Sequence, residues 1–124
     1  MLANPNSINP DALAKSGRKA QVTGVNGKRS FSDGVRTVEV FMIDDSVHAR
    51  GFMMVWLPKE RLLVEADAFT PGAPNTPPPP QPNANNLNLI NNIDRLKLNP
   101  ERILPLHGRM VAVSELYTVV GRRP

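Results

Sequence analysis

Phe52-Met53-Met54-Val55-Trp56-Leu57-Pro58-Lys59-Glu60-Arg61-Leu62-Leu63-Val64-Glu65-Ala66-Asp67-Ala68-Phe69 carries the clearest local structure in the chain. Two short apolar runs, Phe52 to Leu57 and Arg61 to Val64, flank Pro58-Lys59-Glu60, whose proline suits the second position of a type I turn. The spacing predicts an antiparallel hairpin that delivers Asp67 just past the end of its second strand. A carboxylate placed where a half-buried strand ends needs a partner to offset its charge.

Upstream of this hairpin, Val35 to Ile43 alternates apolar and polar residues and then turns continuously apolar. That is the pattern of a strand passing from a solvated face into a sheet interior. It runs into Ile43-Asp44-Asp45-Ser46-Val47-His48. Before it, Gln21 to Val25 and Lys28 to Phe31 read as strands about an Asn26-Gly27 turn, because both turn residues tolerate positive φ. A second turn follows at Ser32-Asp33-Gly34. Residues 1–17 form an N-terminal segment with a short helix, capped by Asn9, with Pro10 at its first position and Gly17 as its stop.

Downstream, residues 70–85 hold seven prolines and no strong apolar residue. Such a stretch favours extended polyproline geometry and builds no core; it reads as a surface crossover, or else as a recognition motif for aromatic-grooved modules. Leu87, Ile90, Ile93 and Leu96 then give an amphipathic helix, opened by Asn85 or Asn86 and halted before Pro100. Arg102 to Leu106 reads as a short buried strand ending at His107-Gly108. Ser114 to Val120 reads as a short helix stopped by Gly121. The order strand, helix, strand, helix predicts an α/β fold, with a mixed or antiparallel sheet and helices on one face.

Composition narrows the function classes. At 124 residues the chain has the size of one domain. The net charge of +4 comes from scattered pairs such as Arg18-Lys19, Lys28-Arg29 and Arg122-Arg123, with one Trp, one Tyr and four Phe in all. No basic stripe is interleaved with aromatics, which argues against a nucleic-acid partner. There is no cysteine, so disulfide scaffolds, Cys-based zinc knuckles and thiol nucleophiles are excluded. The longest apolar run is too short for a membrane span, and the N-terminus lacks the basic flank and apolar core of a signal peptide. The expectation is a soluble chain that carries no address, with its compartment open; the alternative is a piece of a longer, exported precursor.

Three polar residues stand at strand ends: His48, Asp67 and His107. Imidazole and carboxylate are the donors that a zinc-class metal prefers. Each residue has a plainer reading: Asp67 as a turn aspartate opening the proline-rich loop, His107 as a core histidine bonded to a carbonyl, His48 as a surface loop residue. They gain weight together because the chain has only these two histidines. Gly108, following His107, lets backbone approach closely there.

The local sequences add a resemblance. Val47-His48, then Met53 through Leu57-Pro58-Lys59-Glu60 to Ala66-Asp67-Ala68-Phe69, then Arg102-Ile103-Leu104-Pro105-Leu106-His107-Gly108-Arg109, resemble the C-terminal half of metallo-β-lactamase-fold hydrolases. The likeness is greatest to a bacterial branch with a Leu-Pro-Lys-Glu hairpin before the metal-binding aspartate. It covers residues 18–121, with several separate motifs in the family's order.

The resemblance implies that His48 matches the third-motif histidine, Asp67 the carboxylate that bridges two metals, and His107 the final histidine. Zinc is the implied metal. The family's first metal motif, His-x-His-x-Asp-His, occurs nowhere in these 124 residues. The resemblance therefore implies half of an αββα sandwich, with no catalytic residue of its own beyond the three metal ligands, and weak or absent activity alone. Apolar residues from Phe41 to Ile43 and from Phe52 to Trp56 are expected to seek cover, which predicts a homo-oligomer or pairing with a missing N-terminal half. The alternative is a non-catalytic binding or self-associating module on the same scaffold. No membrane partner is expected.

Overall fold

The computed structural model describes residues 8–123; residues 1–7 of the N-terminal segment, and Pro124, lie outside the described residues. The elements in chain order are α1 (Ala12–Lys15), β1 (Lys28–Ser32), β2 (Thr37–Met42), β3 (Met53–Leu57), β4 (Leu62–Glu65), α2 (Ala84–Arg95), β5 (Arg102–Pro105), β6 (Val111–Ala112) and α3 (Val113–Val119). The six strands form one sheet in sequence order. Every neighbouring pair is antiparallel except β4 and β5, which run parallel. A parallel neighbour cannot be reached by a tight turn, and α2 with the proline-rich segment supplies the crossover.

The decisive hairpin forms as its sequence predicts. The Arg61 amide donates to the Pro58 carbonyl at 3.3 Å, and Trp56 pairs with Leu63 across the ladder. Strand alternation then sorts the side chains onto two faces. Phe41 lies opposite Met54, and Trp56, Leu63, Ile103 and Val111 form a continuous row across four strands. Leu89, Ile90 and Ile93 of α2 and Leu116 of α3 cover this face, all of them buried. Full burial of each such side chain contributes about 1.5–3 kcal/mol, so this layer is the core of the fold.

The opposite face is also apolar, but no helix covers it among the described residues. Val40, Val55, Val64 and Leu104 are register partners in a row, with Met42 beside Met53 and Leu57 beside Leu62. The valines are half-buried and Leu104 is 39% exposed. This corrects the expected extent of the uncovered surface. Phe41, Ile43, Met54 and Trp56 are already covered, and only the alternate residues of the same strands remain open.

Three local expectations give way. Residues 21–25 form no strand, and Asn26-Gly27 closes no hairpin; the first hairpin instead joins β1 to β2. Its turn is held by Asp33, whose Oδ1 accepts the Val35 and Arg36 amides at 2.9 and 2.7 Å. Across β1 and β2, Lys28 pairs with the Glu39 carboxylate at 2.6 Å and lies over the Phe41 ring. The cap of α1 is Asp11, not Asn9, since its Oδ1 accepts the Ala14 amide at 2.8 Å. Likewise α2 opens at Asn83, earlier than expected, where Oδ1 accepts the Asn85 amide. It closes at Lys97, whose φ of 53° lets the Leu98 amide reach back to the Ile93 carbonyl. The two-residue strand β6 is too short to leave a periodic signal.

Candidate metal centre

His48, Asp67 and His107 meet at one end of the sheet, carried by the loop after β2, the turn after β4 and the turn after β5. Asp67 stands between the imidazoles. Its Oδ2 lies 3.4 Å from His48 Nε2 and its Oδ1 lies 3.2 Å from His107 Nε2. The group is therefore a His–carboxylate–His chain, with one imidazole on each oxygen. Among the described residues no group of three or more His, Cys, Asp or Glu side chains is arranged so that it could hold a metal ion. All three side chains are partly open to solvent.

Each member is held by its own local device. The loop that carries His48 is pinned to α2 by Asn92, a buried polar residue. Asn92 Oδ1 accepts the Asp44 amide at 2.9 Å, and its Nδ2 donates to the Asp44 carbonyl at 3.1 Å. Asn88 adds bonds to the carbonyls of Asp44 and Asp45, and Arg95 pairs with the Asp44 carboxylate at 3.1 Å. Ser46 Oγ accepts the amides of His48 and Ala49, and the His48 ring packs on Phe52 with centroids 5.0 Å apart.

Glu65 organises the turn that presents Asp67. It lies on the core face of β4 and is 3% exposed, with Oε2 accepting the amides of Ala68 at 2.7 Å and Phe69 at 3.1 Å. Burial is the main force on its carboxyl and pushes its pKa up to about 7, opposed by those two amides. The nearby Asp67 charge raises it further, while His107 acts the other way.

At His107 the chain turns through Gly108, with φ of 104°. A β-carbon there would stand 3.3 Å from Pro71 Cδ. Gly108→Ala combines that contact with a backbone region that L-residues avoid. It is expected to destabilise the fold by about 1–3 kcal/mol in denaturant unfolding, and an unchanged midpoint would show that the turn is free to adjust. Beyond it, Arg109 forms a two-toothed pair with Glu115 at 3.0 and 2.6 Å and reaches the Gly72 carbonyl, tying the proline-rich segment to α3. That segment, residues 69–79 with α3, borders a cleft of about 490 Å³ that the trio does not line. The trio sits on an open rim instead.

The side-chain types, two imidazoles and a carboxylate, are ones a zinc-class ion takes, and all three are reachable from solvent, with each carboxylate oxygen facing one imidazole. The structure brings the three predicted residues together, while Glu65 and Asn92 were not anticipated from the sequence. Glu65 had left a signal, since it shares the parity of Leu63 and so puts a carboxylate on the apolar face of a strand.

The fold is an α/β mixed sheet with helices on one face, resembling half of a metallo-β-lactamase. No family model matches the chain, and no curated protein matches it. Among solved structures it is similar to a metallo-β-lactamase from Pontibacter korlensis, with 15% identity and a TM-score of 0.58 over 88% of this chain and 51% of that one. It is also similar to rubredoxin oxygen:oxidoreductase from the anaerobe Desulfovibrio gigas, with 17% identity and a TM-score of 0.59 over 88% of this chain and 34% of that one. An archaeal metallo-β-lactamase superfamily protein from Sulfolobus tokodaii gives 19% identity and a TM-score of 0.54 over 76% and 36%. At such identities the likeness shows the fold. The chain spans between 34% and 51% of the length of these structures.

Proposed function

We propose that the chain is the C-terminal, three-ligand portion of a zinc-dependent hydrolase of metallo-β-lactamase fold, with His48, Asp67 and His107 as the metal donors and weak or no turnover by the chain alone. The observation that carries this reading is Asp67 held between two imidazoles that arrive from separate loops. When bound, zinc supplies Lewis acidity, which acidifies water and polarises a carbonyl or phosphoryl oxygen. The chain's own contribution is to hold the two nitrogens on opposite oxygens of one carboxylate. Three donors leave coordination positions to other ligands, so zinc is held weakly by the chain alone.

A second reading, a non-catalytic binding or self-associating module, draws on the open apolar face of the sheet. Val40, Val55, Val64 and Leu104, flanked by methionines and leucines, offer the flat surface on which a second sheet stacks. In the isolated chain a second copy covers this face, and the N-terminal half of a longer hydrolase would compete for it. Two measurements separate the readings. Zinc calorimetry gives heat under the metal-site reading and none under the module reading. Light scattering should report a dimer; a stable monomer at high concentration overturns the self-association.

A further inference from the structure

We infer that Glu65 is a positioning residue that sets Asp67 against His107, an assignment that rests on reading the trio as a metal site. Its carboxylate bonds the amides of Ala68 and Phe69, the two residues that follow Asp67. Its main-chain carbonyl accepts the Leu106 amide, from the residue before His107, at 2.8 Å. One residue thereby closes the aspartate turn with its side chain and ties down the histidine turn with its backbone.

The placement is costly unless it serves such a purpose. A carboxylate taken out of water on the core face of a strand loses hydration, and a leucine there would continue the apolar row begun by Leu63. Glu65 Oε1 is buried and has no hydrogen-bond partner within the chain, so only half of the carboxylate is used by the fold. The used half is the oxygen on the turn. Without it, two buried amides would lose their acceptor, and the Asp67 turn would relax toward other bonds.

The test compares Glu65→Gln, which retains an acceptor oxygen at the same reach, with Glu65→Leu, which retains the volume alone. In the metal-free protein, long-range proton–nitrogen spectra of the imidazoles report how His107 Nε2 faces Asp67. The Gln variant should match the unsubstituted chain. The Leu variant should shift His107 toward its position in Asp67→Ala while circular dichroism shows an intact fold. Zinc titration should then place the Gln variant within about twofold of the parent and the Leu variant about tenfold weaker, in the range typical of residues that orient metal ligands. Should Glu65→Leu fail to fold, Glu65→Asp carries the comparison, because its shorter stem withdraws the carboxylate from both amides while keeping the charge.

A folded Leu or Asp variant whose His107 spectrum is unchanged overturns the assignment. Failure of the metal reading itself looks different. The parent would then take up no zinc, while the imidazole spectra would still rank the Glu65 variants.

Discussion

Under the proposed metal-site reading, Asp67→Ala is expected to abolish measurable zinc binding, whereas His48→Ala and His107→Ala should each weaken it and leave residual heat. Both imidazoles are set by the same carboxylate, at 3.4 and 3.2 Å, and removing it takes away a donor and the group that faces both rings. Loss of a residue that merely orients a ligand costs about 10–100-fold in metal affinity. Removing a shared ligand should reach at least the upper end, about 100-fold, or ~2.7 kcal/mol. The single histidine variants should fall nearer tenfold, since each leaves one imidazole on the carboxylate. All three side chains are partly exposed, so these truncations should move the unfolding midpoint little, by about 0.5 kcal/mol or less. Calorimetric titration of the three variants beside the parent checks the ordering. Equal losses at all three positions, or heat surviving in Asp67→Ala, would sink the bridging role.

The sequence made the trio of His48, Asp67 and His107 legible for a reason that also explains what it hid. The hairpin from Phe52 to Val64 declares itself through Pro58 and two apolar runs, and everything that follows Val64 inherits its position from that hairpin. The parallel strand β5 and the helix α2 were readable from apolar periodicity. From these follows the convergence of Asp67 with His107, because both leave parallel neighbouring strands at the same end. His48 rides a loop of several residues after β2 that has no periodicity to fix its path.

What fixes that path is a set of long-range hydrogen bonds between residues 44 and 92, and nothing local in either segment announces them. The failed Asn26-Gly27 hairpin has a related cause. A turn signal is a local permission, and β1 instead pairs with β2, where Lys28 meets the Glu39 carboxylate and lies over the Phe41 ring. The open sheet face was read in kind but not in detail, because a run such as Met53-Met54-Val55-Trp56 names no face until its register is known.

Asn92→Leu is expected to release the loop that carries His48 and to destabilise the fold by about 2–4 kcal/mol, because it removes a buried side chain that both donates to and accepts from the Asp44 peptide. The isosteric leucine leaves the Asp44 amide without its acceptor and also strips Arg95 of its bond to Asn92 Oδ1, at 2.9 Å. Asn88→Ala is the matched control: from a half-buried position it removes solvent-exposed bonds to the Asp44 and Asp45 carbonyls, which water replaces, so its cost should stay below about 1 kcal/mol. The functional consequence is specific. Asp45 is held at a φ of 52°, a left-handed conformation that aspartate tolerates better than most residues but still adopts only in a minority of cases, so an unpinned loop is free to leave it and carry His48 away from Asp67. Zinc affinity in Asn92→Leu should therefore fall to the level of His48→Ala, and combining the two substitutions should add little further loss. Amide exchange at Asp44 should accelerate in the same variant. Full zinc affinity in a destabilised Asn92→Leu would mean that Ser46 and the packing of His48 on Phe52 hold the imidazole by themselves, and that the long-range bonds serve stability alone.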